Sequence, residues 1–183
     1  MRFALFVFLT FVMALPLRAD SMAVLKEPGV ILLMRHALAP GTGDPRNFRL
    51  EDCSTQRNLD AQGRAQAQAI GFAIRSADIP IDRVWTSQWC RCRETAELLD
   101  LGTPEDKLFL NSFFRDRRKG PQQTEELRRA LAALPRLDHP ILVTHQVNIT
   151  ALTGIVPRSG EIIALEHHPD GNIEVRGRVL LAQ

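Results

Sequence analysis

One stretch near the start of the chain, residues 30–37, constrains the fold more than any other. It reads Val-Ile-Leu-Leu-Met-Arg-His-Ala, five apolar residues that stop abruptly at Arg35 and His36. A continuous apolar run of this length, with β-branched members, is typical of a strand covered on both faces, as in a parallel sheet between helices. Ligands bind such sheets where the carboxyl ends of the strands open into a crevice. We therefore expect Arg35 and His36 to stand at the lip of a binding cleft.

The rest of the chain alternates between strand and helix patterns. Strands are predicted for residues 81–86 and 141–144, and helices for residues 60–75, 90–99, 124–134 and 147–153. Residues 161–181 read as two strands that turn at Asp170-Gly171. This alternation predicts an α/β fold, a three-layer α/β/α sandwich with a mostly parallel central sheet. Residues 39–57 form a long Gly/Pro/Asp-rich loop, and long loops in compact domains are often functional.

The N-terminal segment has the pattern of a secretory signal peptide. Residues 1–2 give a short positive region, residues 3–17 are almost wholly apolar, and small residues follow at Ala19, Ser21 and Ala23. The apolar run is shorter than the ~20 residues that span a bilayer. The segment therefore predicts export, to a bacterial periplasm or out of the cell.

We expect residues 1–23 to be the signal peptide, cleaved after Ala19 or Ala23, and residues 24–183 to form one domain. The alternative is an uncleaved anchor, which would be the chain's contact with a membrane. The 23 basic and 21 acidic residues give a formal net charge of +2. This balance does not indicate a nucleic-acid partner, so we expect a small molecule, with the oligomeric state left open.

The three cysteines are candidates for a disulfide, because exported proteins meet an oxidising compartment. Cys90 and Cys92 are too close in sequence to bridge easily within a helix, so Cys53 is expected to pair with either Cys90 or Cys92. Three buried thiols are the alternative. A zinc site would need partners at matching spacing, and the pair at 167–168 is a poor match, so no metal is predicted.

Polar side chains that suit an anion follow three of the predicted strands. Two strands end in a histidine, His36 and His145, and a third ends in Thr86-Ser87 and is followed by Arg91. Cations and helix amino ends that converge on one spot form an anion site, and phosphate is the anion that suits it best. A neutral imidazole there can attack phosphorus and form a phosphoenzyme that water hydrolyses. The arginines would stabilise the charge on the phosphoryl oxygens.

Four segments together resemble the histidine phosphatase superfamily, which includes phosphoglycerate mutases, acid phosphatases and phytases. They are Met34–Ala37, similar to the Arg-His-Gly signature; Arg57-Asn58-Leu59-Asp60 with Gly63 and Gln66-Ala67; Thr86–Ala96, similar to the Ser-Ser-x-x-x-Arg-Ala-x-x-Thr-Ala block; and Val143–Asn148. The matches follow the family order from Val30 to Gly154. The resemblance implies that His36 is the phosphorylated nucleophile and that Arg35, Arg91 and His145 bind the phosphoryl group, with no metal or other cofactor.

The resemblance also implies substrate-binding roles for residues around this centre. They are Arg57, Ser87 and Asn148, although Arg57 fits a place on a loop surface equally well. Arg91 rather than Arg93 takes the catalytic arginine position, because it lies four residues after Ser87 as in the family block. Arg93 is expected on the surface of the helix.

Two positions depart from the family pattern. Ala37 replaces the glycine of the signature, a small change that we expect to be tolerated. His145-Gln146-Val147-Asn148 replaces the His-Asp-x-Asn of the acid phosphatases, and a glutamine cannot serve as a general acid. The proton donor is therefore unassigned, and the candidates are Asp116, Glu125, Glu126 and Glu161. Asp116 is preferred because its segment lies where the family often inserts a lid; the alternative is a solvated loop charge.

The expected activity is hydrolysis of a phosphorylated substrate. Without an acid, the favoured substrates carry leaving groups that depart unprotonated: phosphohistidine, acyl phosphates, pyrophosphates or nitrophenyl esters. The chain also resembles, in length and layout, the phosphatase of the lipopolysaccharide core heptose, and the arginines within residues 115–129 could bind an anionic head group. A non-catalytic module that binds a phosphorylated ligand is the alternative from a different class.

Overall fold

A six-stranded sheet forms the middle of the molecule in the computed structural model, which describes residues 19–168 and 171–182, with side chains from residue 22. The strands are β1 (Ile31–Arg35), β2 (Arg83–Thr86), β3 (Pro104–Asp106), β4 (Pro140–Thr144), β5 (Ile162–His167) and β6 (Ile173–Val179). Their order across the sheet is β3-β2-β4-β1-β5-β6. The first four pair in parallel, and β5 runs antiparallel to its neighbours β1 and β6.

Five helices accompany the sheet. They are α1 (Ala19–Val24), α2 (Ala61–Ser76), α3 (Cys90–Leu99), α4 (Gly120–Ala132) and α5 (Gln146–Thr153), with short 3-10 turns at Cys53–Thr55, Leu108–Leu110 and Arg117–Lys119. Capping residues mark the start of α2 and the end of α5. The Asp60 carboxylate accepts a hydrogen bond from the Gly63 amide at 2.7 Å at the start of α2, and Gly154, with φ of 75°, ends α5 in the left-handed region.

Alternate residues of β1 face opposite layers of helices. Leu32 and Met34 pack with the apolar faces of α2 and α3, whereas Ile31 and Leu33 pack with those of α4 and α5. Successive side chains of a strand point to opposite faces, so a strand buried on both faces must be apolar throughout. The predicted three-layer α/β/α sandwich with a mostly parallel sheet is confirmed, and the apolar run at residues 30–34 is its central strand.

The structure adds details that the sequence pattern missed. The short edge strand β3 was not predicted, and α4 begins at Gly120 rather than at residue 124. The two C-terminal strands are present as β5 and β6, while Asp170 of their predicted turn lies outside the described residues.

The predicted signal peptide lies largely outside the described residues, which begin at residue 19. From residue 22 onward the chain is part of the fold, because Leu25 is buried in the core beside α2 and Met22 and Val24 pack against it. None of the helices in the described part of the chain has the length and apolar character needed to cross a bilayer.

Candidate active site

The carboxyl ends of β1, β4 and β2 lie side by side, because these strands are parallel neighbours. Arg35 and His36 stand at the end of β1, His145 follows β4, and Arg91 lies in the first turn of α3, just after β2. Arg91 lies between the two histidines: its Nε is 3.2 Å from His36 Nε2, and its Nη2 is 3.4 Å from His145 Nδ1. Arg35 lines the same cavity. The structure therefore brings together the four residues predicted for the catalytic centre.

The His36 ring is held in one tautomer. Its Nδ1 lies 2.7 Å from the Ala37 carbonyl oxygen, which can only accept a hydrogen bond, so Nδ1 carries the proton. Nε2 is then free to accept the bond from Arg91 Nε. Burial first, and the nearby charge of Arg91 second, hold the pKa of His36 well below its ordinary value. The imidazole is therefore neutral at physiological pH, with its Nε2 lone pair directed at the guanidinium that would bind an anion.

Hydrogen bonds to two neighbouring elements fix the backbone at this histidine. The His36 amide donates to the Thr144 carbonyl of β4 at 2.9 Å, and the Ala37 amide donates to Thr95 Oγ1 of α3 at 3.1 Å. Thr95 Oγ1 in turn donates to the Arg91 carbonyl at 2.6 Å. Ala37 is fully buried with other small and apolar side chains, so the fold accommodates its methyl group.

The start of α2 packs closely on the segment that follows the signature. A Cβ atom on Gly63 would lie 1.9 Å from the Leu38 carbonyl oxygen, so only glycine permits this approach. Gln66, one turn later, accepts a hydrogen bond from the Leu38 amide at 2.9 Å. These contacts give a structural reason for the Gly63 and Gln66 positions of the resemblance.

His145 is oriented from behind by Ser87. Because Arg91 can only donate, His145 Nδ1 accepts, and His145 Nε2 donates to Ser87 Oγ at 2.8 Å. The Ser87 hydroxyl in turn donates a hydrogen bond to Asn111 Oδ1 at 3.2 Å. Burial, followed by the charge of Arg91, lowers the pKa of His145 well below its ordinary value. His145 is thus a neutral side chain held in one orientation rather than a mobile cation.

A carboxylate that the sequence analysis did not single out completes the centre. Asp44 forms a buried ion pair with Arg91, with its two oxygens 2.7 and 3.4 Å from the two terminal guanidinium nitrogens. It also accepts from Trp89 Nε1 at 3.1 Å and from the Arg57 amide at 3.2 Å. Burial alone would raise the pKa of Asp44, but the hydrogen bonds and charge of Arg91 outweigh it and hold that pKa below its ordinary value.

Positive charge dominates the cavity around these groups. The arginines that line it are Arg35, Arg57, Arg91 and Arg117, against one carboxylate, Asp44, among the described residues. Arg57 donates its Nε to the Gly43 carbonyl at 2.8 Å, and burial with the charge of Arg91 lowers its pKa to about 10. Burial and Arg91 also lower the pKa of Arg35. This excess of guanidinium groups suits a phosphoryl group, whose oxygens they can bind bidentately.

The cavity lining includes a floor and a loop wall. Its floor, here called the cavity floor, consists of Arg35, His36, Arg91 and His145. One side is the loop wall, residues 39–57, which contributes Asp44 and Arg57. Phe114 and Arg117 also line the cavity, with the guanidinium of Arg117 4.9 Å from the centre of the Phe114 ring. The space in the cavity, counted together with the part open to solvent, amounts to about 710 Å³.

Comparison with known proteins agrees with this geometry. The model of the histidine phosphatase superfamily (branch 1) matches residues 31–120, a stretch that includes His36, Asp44 and Arg91. The chain belongs to the histidine phosphatase superfamily. No curated protein matches the sequence significantly.

Solved structures with the superfamily fold cover most of this chain. The protein histidine phosphatase SixA, complexed with tungstate, is 16% identical with a TM-score of 0.64, and the match covers 82% of this chain and 96% of SixA. A mycobacterial glucosyl-3-phosphoglycerate phosphatase is 14% identical, with a TM-score of 0.59 and coverage of 86% and 100%. The phosphoglycerate mutase of Plasmodium falciparum is 15% identical, with a TM-score of 0.54 and coverage of 84% and 92%. These identities establish the fold alone.

Three residues that the sequence assigned to the site do not line the cavity. Ser87 lies behind His145, as described above, and acts on the ring rather than on a ligand. Asn148 donates its amide to the Asn111 carbonyl at 2.9 Å, which ties the start of α5 to the neighbouring loop. Asp116 pairs with Arg118 at 2.8 Å on the protein surface. The third predicted substrate-binding residue, Arg57, does line the cavity, as described above.

The other carboxylates considered as proton donors are engaged elsewhere. Glu161 accepts from Arg178 Nε and from the Arg158 amide, both at 2.7 Å. Glu125 and Glu126 lie on α4 and contact Arg129 and Gln122. None of these side chains is among the described residues that line the cavity.

The loop wall is fastened to α3. A disulfide joins Cys53 to Cys90, the first residue of α3, and the Cys90 amide donates to Gln56 Oε1 at 3.0 Å. Of the two pairings left open by the sequence, the structure contains this one. Cys92 is a free, buried thiol whose pKa is raised to about 12, chiefly by burial, so it is not a nucleophile at neutral pH.

A group of potential metal ligands lies away from the cavity. Glu166, His168 and Glu174, on β5, β6 and the segment between them, offer ligand atoms within 4.8 Å of one another. Glu166 is paired with Arg176, and His168 with Glu174. None of these three residues lines the cavity.

Proposed function

We propose that this protein is a metal-independent phosphatase of the bacterial envelope, which hydrolyses a phosphorylated small molecule through a covalent phosphohistidine on His36. The observation that carries the proposal is the state of His36: a buried, neutral imidazole with its Nδ1 proton donated to Ala37 and its Nε2 lone pair facing Arg91. A residue that only bound an anion would serve better as a charged donor. A neutral nitrogen beside an anion site is what nucleophilic attack on phosphorus requires.

The cavity floor supports each demand of phosphoryl transfer. The phosphoryl group would bind against Arg91 and Arg35, which places phosphorus in front of His36 Nε2. The guanidinium groups would stabilise the charge that spreads over the phosphoryl oxygens in the transition state. His145, fixed by Ser87, limits the position of that group from the other side. Transfer to His36 is followed by attack of water on the phosphohistidine, which releases inorganic phosphate.

The positive charge of the cavity lining supports a phosphorylated substrate. SixA is named a protein histidine phosphatase, and another superfamily fold belongs to a glucosyl-3-phosphoglycerate phosphatase. Both names describe removal of phosphate, and we place this chain with the phosphatases rather than with the mutases. Arg117 in the cavity lining also favours a substrate with a further anionic group, such as the phosphorylated heptose of a lipopolysaccharide core, as a second candidate.

The disulfide supports the proposed location. Cys53–Cys90 links two segments that are 37 residues apart in sequence, and structural disulfides are rare in reducing cytosol. Together with the apolar N-terminal segment, it favours a periplasmic or secreted protein. Detection of the mature N-terminus after Ala19 or Ala23 in the periplasmic fraction would test this, and a cytoplasmic protein with its full N-terminus would contradict it.

Turnover of nitrophenyl phosphate in the presence of a chelator tests the activity. We expect the purified protein to hydrolyse it and His36→Ala to lose on the order of 10³-fold or more in kcat. His168→Ala, which removes a histidine outside the cavity, is the matched control and should keep full activity. If the wild-type protein and every variant bind phosphate without turnover of any phosphoester, the protein is a phospho-ligand binding module instead.

A further inference from the structure

The site as predicted from the sequence lacks a proton donor. Position 146, where related acid phosphatases carry an aspartate, holds a glutamine, and the amide of Gln146 has no proton to give at catalytic pH. Asp116, Glu125, Glu126 and Glu161 do not line the cavity. A phosphatase for alkyl esters needs an acid, because an alkoxide is a poor leaving group.

Asp44 is placed to supply the missing proton. Among the described residues it provides the one carboxylate that lines the cavity, and its side chain is 6% exposed. One guanidinium joins it to the nucleophile, since Arg91 contacts Asp44 through Nη1 and His36 through Nε. The carboxylate therefore lies on the edge of the space that the phosphoryl group must enter.

We propose that Asp44 is the general acid and base of this site, and that binding of the phosphoryl group to Arg91 releases it for that role. The inference rests on the phosphatase function proposed above. It gives the loop wall a part in the chemistry, beyond the binding of substrate.

Competition for Arg91 is the physical basis of the release. Arg91 gives both of its terminal nitrogens to Asp44, and a phosphoryl group in front of His36 Nε2 needs the same donors. A carboxylate that loses this cation and gains an anionic neighbour has a higher affinity for a proton. Asp44 stays at the edge of the cavity, because Trp89 Nε1 and the Arg57 amide still donate hydrogen bonds to it. The Cys53–Cys90 disulfide also fastens its loop to α3.

The steps balance as follows. The His36 Nε2 lone pair forms the N–P bond while the P–O bond to the leaving group breaks, and the leaving oxygen keeps that electron pair. Protonated Asp44 gives its proton to this oxygen, so an alcohol leaves and Asp44 becomes a carboxylate. The carboxylate then takes a proton from water as the water oxygen attacks phosphorus. The N–P electron pair returns to His36, inorganic phosphate forms, and Asp44 is again an acid.

The proposal changes the expected substrates. Without an acid, turnover is restricted to leaving groups that depart unprotonated, such as nitrophenolate or the imidazole of phosphohistidine. With Asp44 as donor, alkyl and sugar phosphate monoesters become substrates as well. The dependence of the rate on leaving-group basicity is therefore the property to measure.

The test compares Asp44→Asn with the wild-type protein on nitrophenyl phosphate and on glycerol phosphate. We expect kcat/KM for glycerol phosphate to fall by about 10²-fold or more, while that for nitrophenyl phosphate changes only a few-fold. Asp116→Asn is the matched control on the surface beside the cavity and should change neither. Equal loss on both substrates would make Asp44 a structural residue, and equal gain would make it only a competitor for Arg91; either overturns the proposal.

Two further measurements keep the outcome decisive. If Asp44→Asn fails to fold, as judged by its melting curve, the wild-type protein is assayed on aryl and alkyl phosphates of rising leaving-group pKa. A shallow dependence supports an acid in the site, and a steep fall, or no turnover of glycerol phosphate, overturns it. Trapping of phosphohistidine separates the two proposals: wild-type protein without any phosphoenzyme or turnover contradicts the phosphatase function itself, whatever Asp44→Asn does.

Discussion

The cavity floor and the loop wall meet at one residue, Arg91, yet they are built in different ways. The floor stands on the ends of adjacent parallel strands, where the His36 and Ala37 amides donate to a backbone carbonyl of β4 and to the Thr95 hydroxyl of α3. The wall is an irregular segment held to α3 by a disulfide, by Gln56 and by the Asp44–Arg91 ion pair. On the proposals made above, the floor carries the nucleophile and the phosphoryl-binding groups, and the wall carries the acid that decides which leaving groups can depart.

Removal of Arg91 should impair the cavity floor and the loop wall together and cause the largest loss of activity. Arg91→Ala takes away the group that contacts His36, His145 and Asp44 together, and we expect kcat/KM for nitrophenyl phosphate to fall by about 10³-fold. Arg93→Ala, two residues along the same helix, removes an exposed arginine paired with Asp106 and should stay within about twofold of wild type. Steady-state kinetics of the two variants decide the matter, and similar losses in both would contradict this assignment of the catalytic arginine.

The disulfide offers a way to loosen the wall and leave the floor in place. Cys53→Ser should lower the free energy of unfolding by about 3 kcal/mol, as loss of a cross-link over this separation typically does. Turnover of nitrophenyl phosphate should change far less, because the floor does not depend on the bridge. Urea unfolding with parallel assays measures both effects.

A reducing agent supplies the control for that experiment. Reduction of the wild-type protein should reproduce the loss of stability seen in Cys53→Ser, and it should not destabilise the variant further. Loss of nitrophenyl phosphate turnover in proportion to the loss of stability would mean that floor and wall are one cooperative unit.

The same division explains which parts of the molecule could be predicted from the sequence. Buried strands are continuous apolar runs, and the carboxyl ends of parallel strands meet at one edge of a sheet, so the residues of the floor could be placed together without a structure. Asp44 carries no such pattern: it lies in a loop, where side-chain contacts to Arg91 and Trp89 over more than 40 residues of sequence decide its position. The edge strand β3 has only three residues, too few to show the alternation of apolar and polar side chains that predicts a strand.

Ser87 and Asn148 show a related limit. Family motifs name residues near a site, but they do not separate those that touch the ligand from those that orient its neighbours. The hydroxyl of Ser87 accepts from His145 Nε2, and Asn148 binds the backbone of Asn111. Only the geometry assigns them to the support of the floor.

Ser87→Ala tests whether Ser87 orients His145 or binds the substrate itself. The substitution removes the acceptor of the His145 Nε2–H bond and leaves Arg91 and His36 untouched, so we expect kcat to fall about tenfold with little change in KM. Ser76→Ala, at the exposed end of α2, is the control. A rise in KM with unchanged kcat would instead indicate that Ser87 binds substrate directly.

The smallest effect concerns the pH dependence of stability. Burial and Arg91 hold the pKa of His145 well below 6.5 in the folded state, whereas an unfolded histidine titrates near 6.5. As pH falls below about 6.5 the unfolded chain therefore gains the proton first, and the free energy of unfolding decreases by up to about 1.4 kcal/mol per pH unit for this group. Above 6.5 its contribution is constant.

His145→Gln should reduce this slope by up to one proton when urea unfolding is compared between about pH 5 and pH 7. A buried histidine away from this site, His139, contributes equally to both proteins and cancels in the difference. Identical slopes would show that His145 is already protonated in the folded protein.

The site of phosphorylation on His36 is the most direct test of the whole account. The protein would be mixed with a phosphoryl donor, quenched in alkali because phosphohistidine is acid-labile, and its phosphorus NMR spectrum compared with the two phosphohistidine isomers. Because Nδ1 donates to the Ala37 carbonyl and Nε2 faces Arg91, we predict phosphorylation of His36 at Nε2, absent in His36→Ala. A phosphoryl group on Nδ1, on another residue, or on the His36→Ala protein would contradict it.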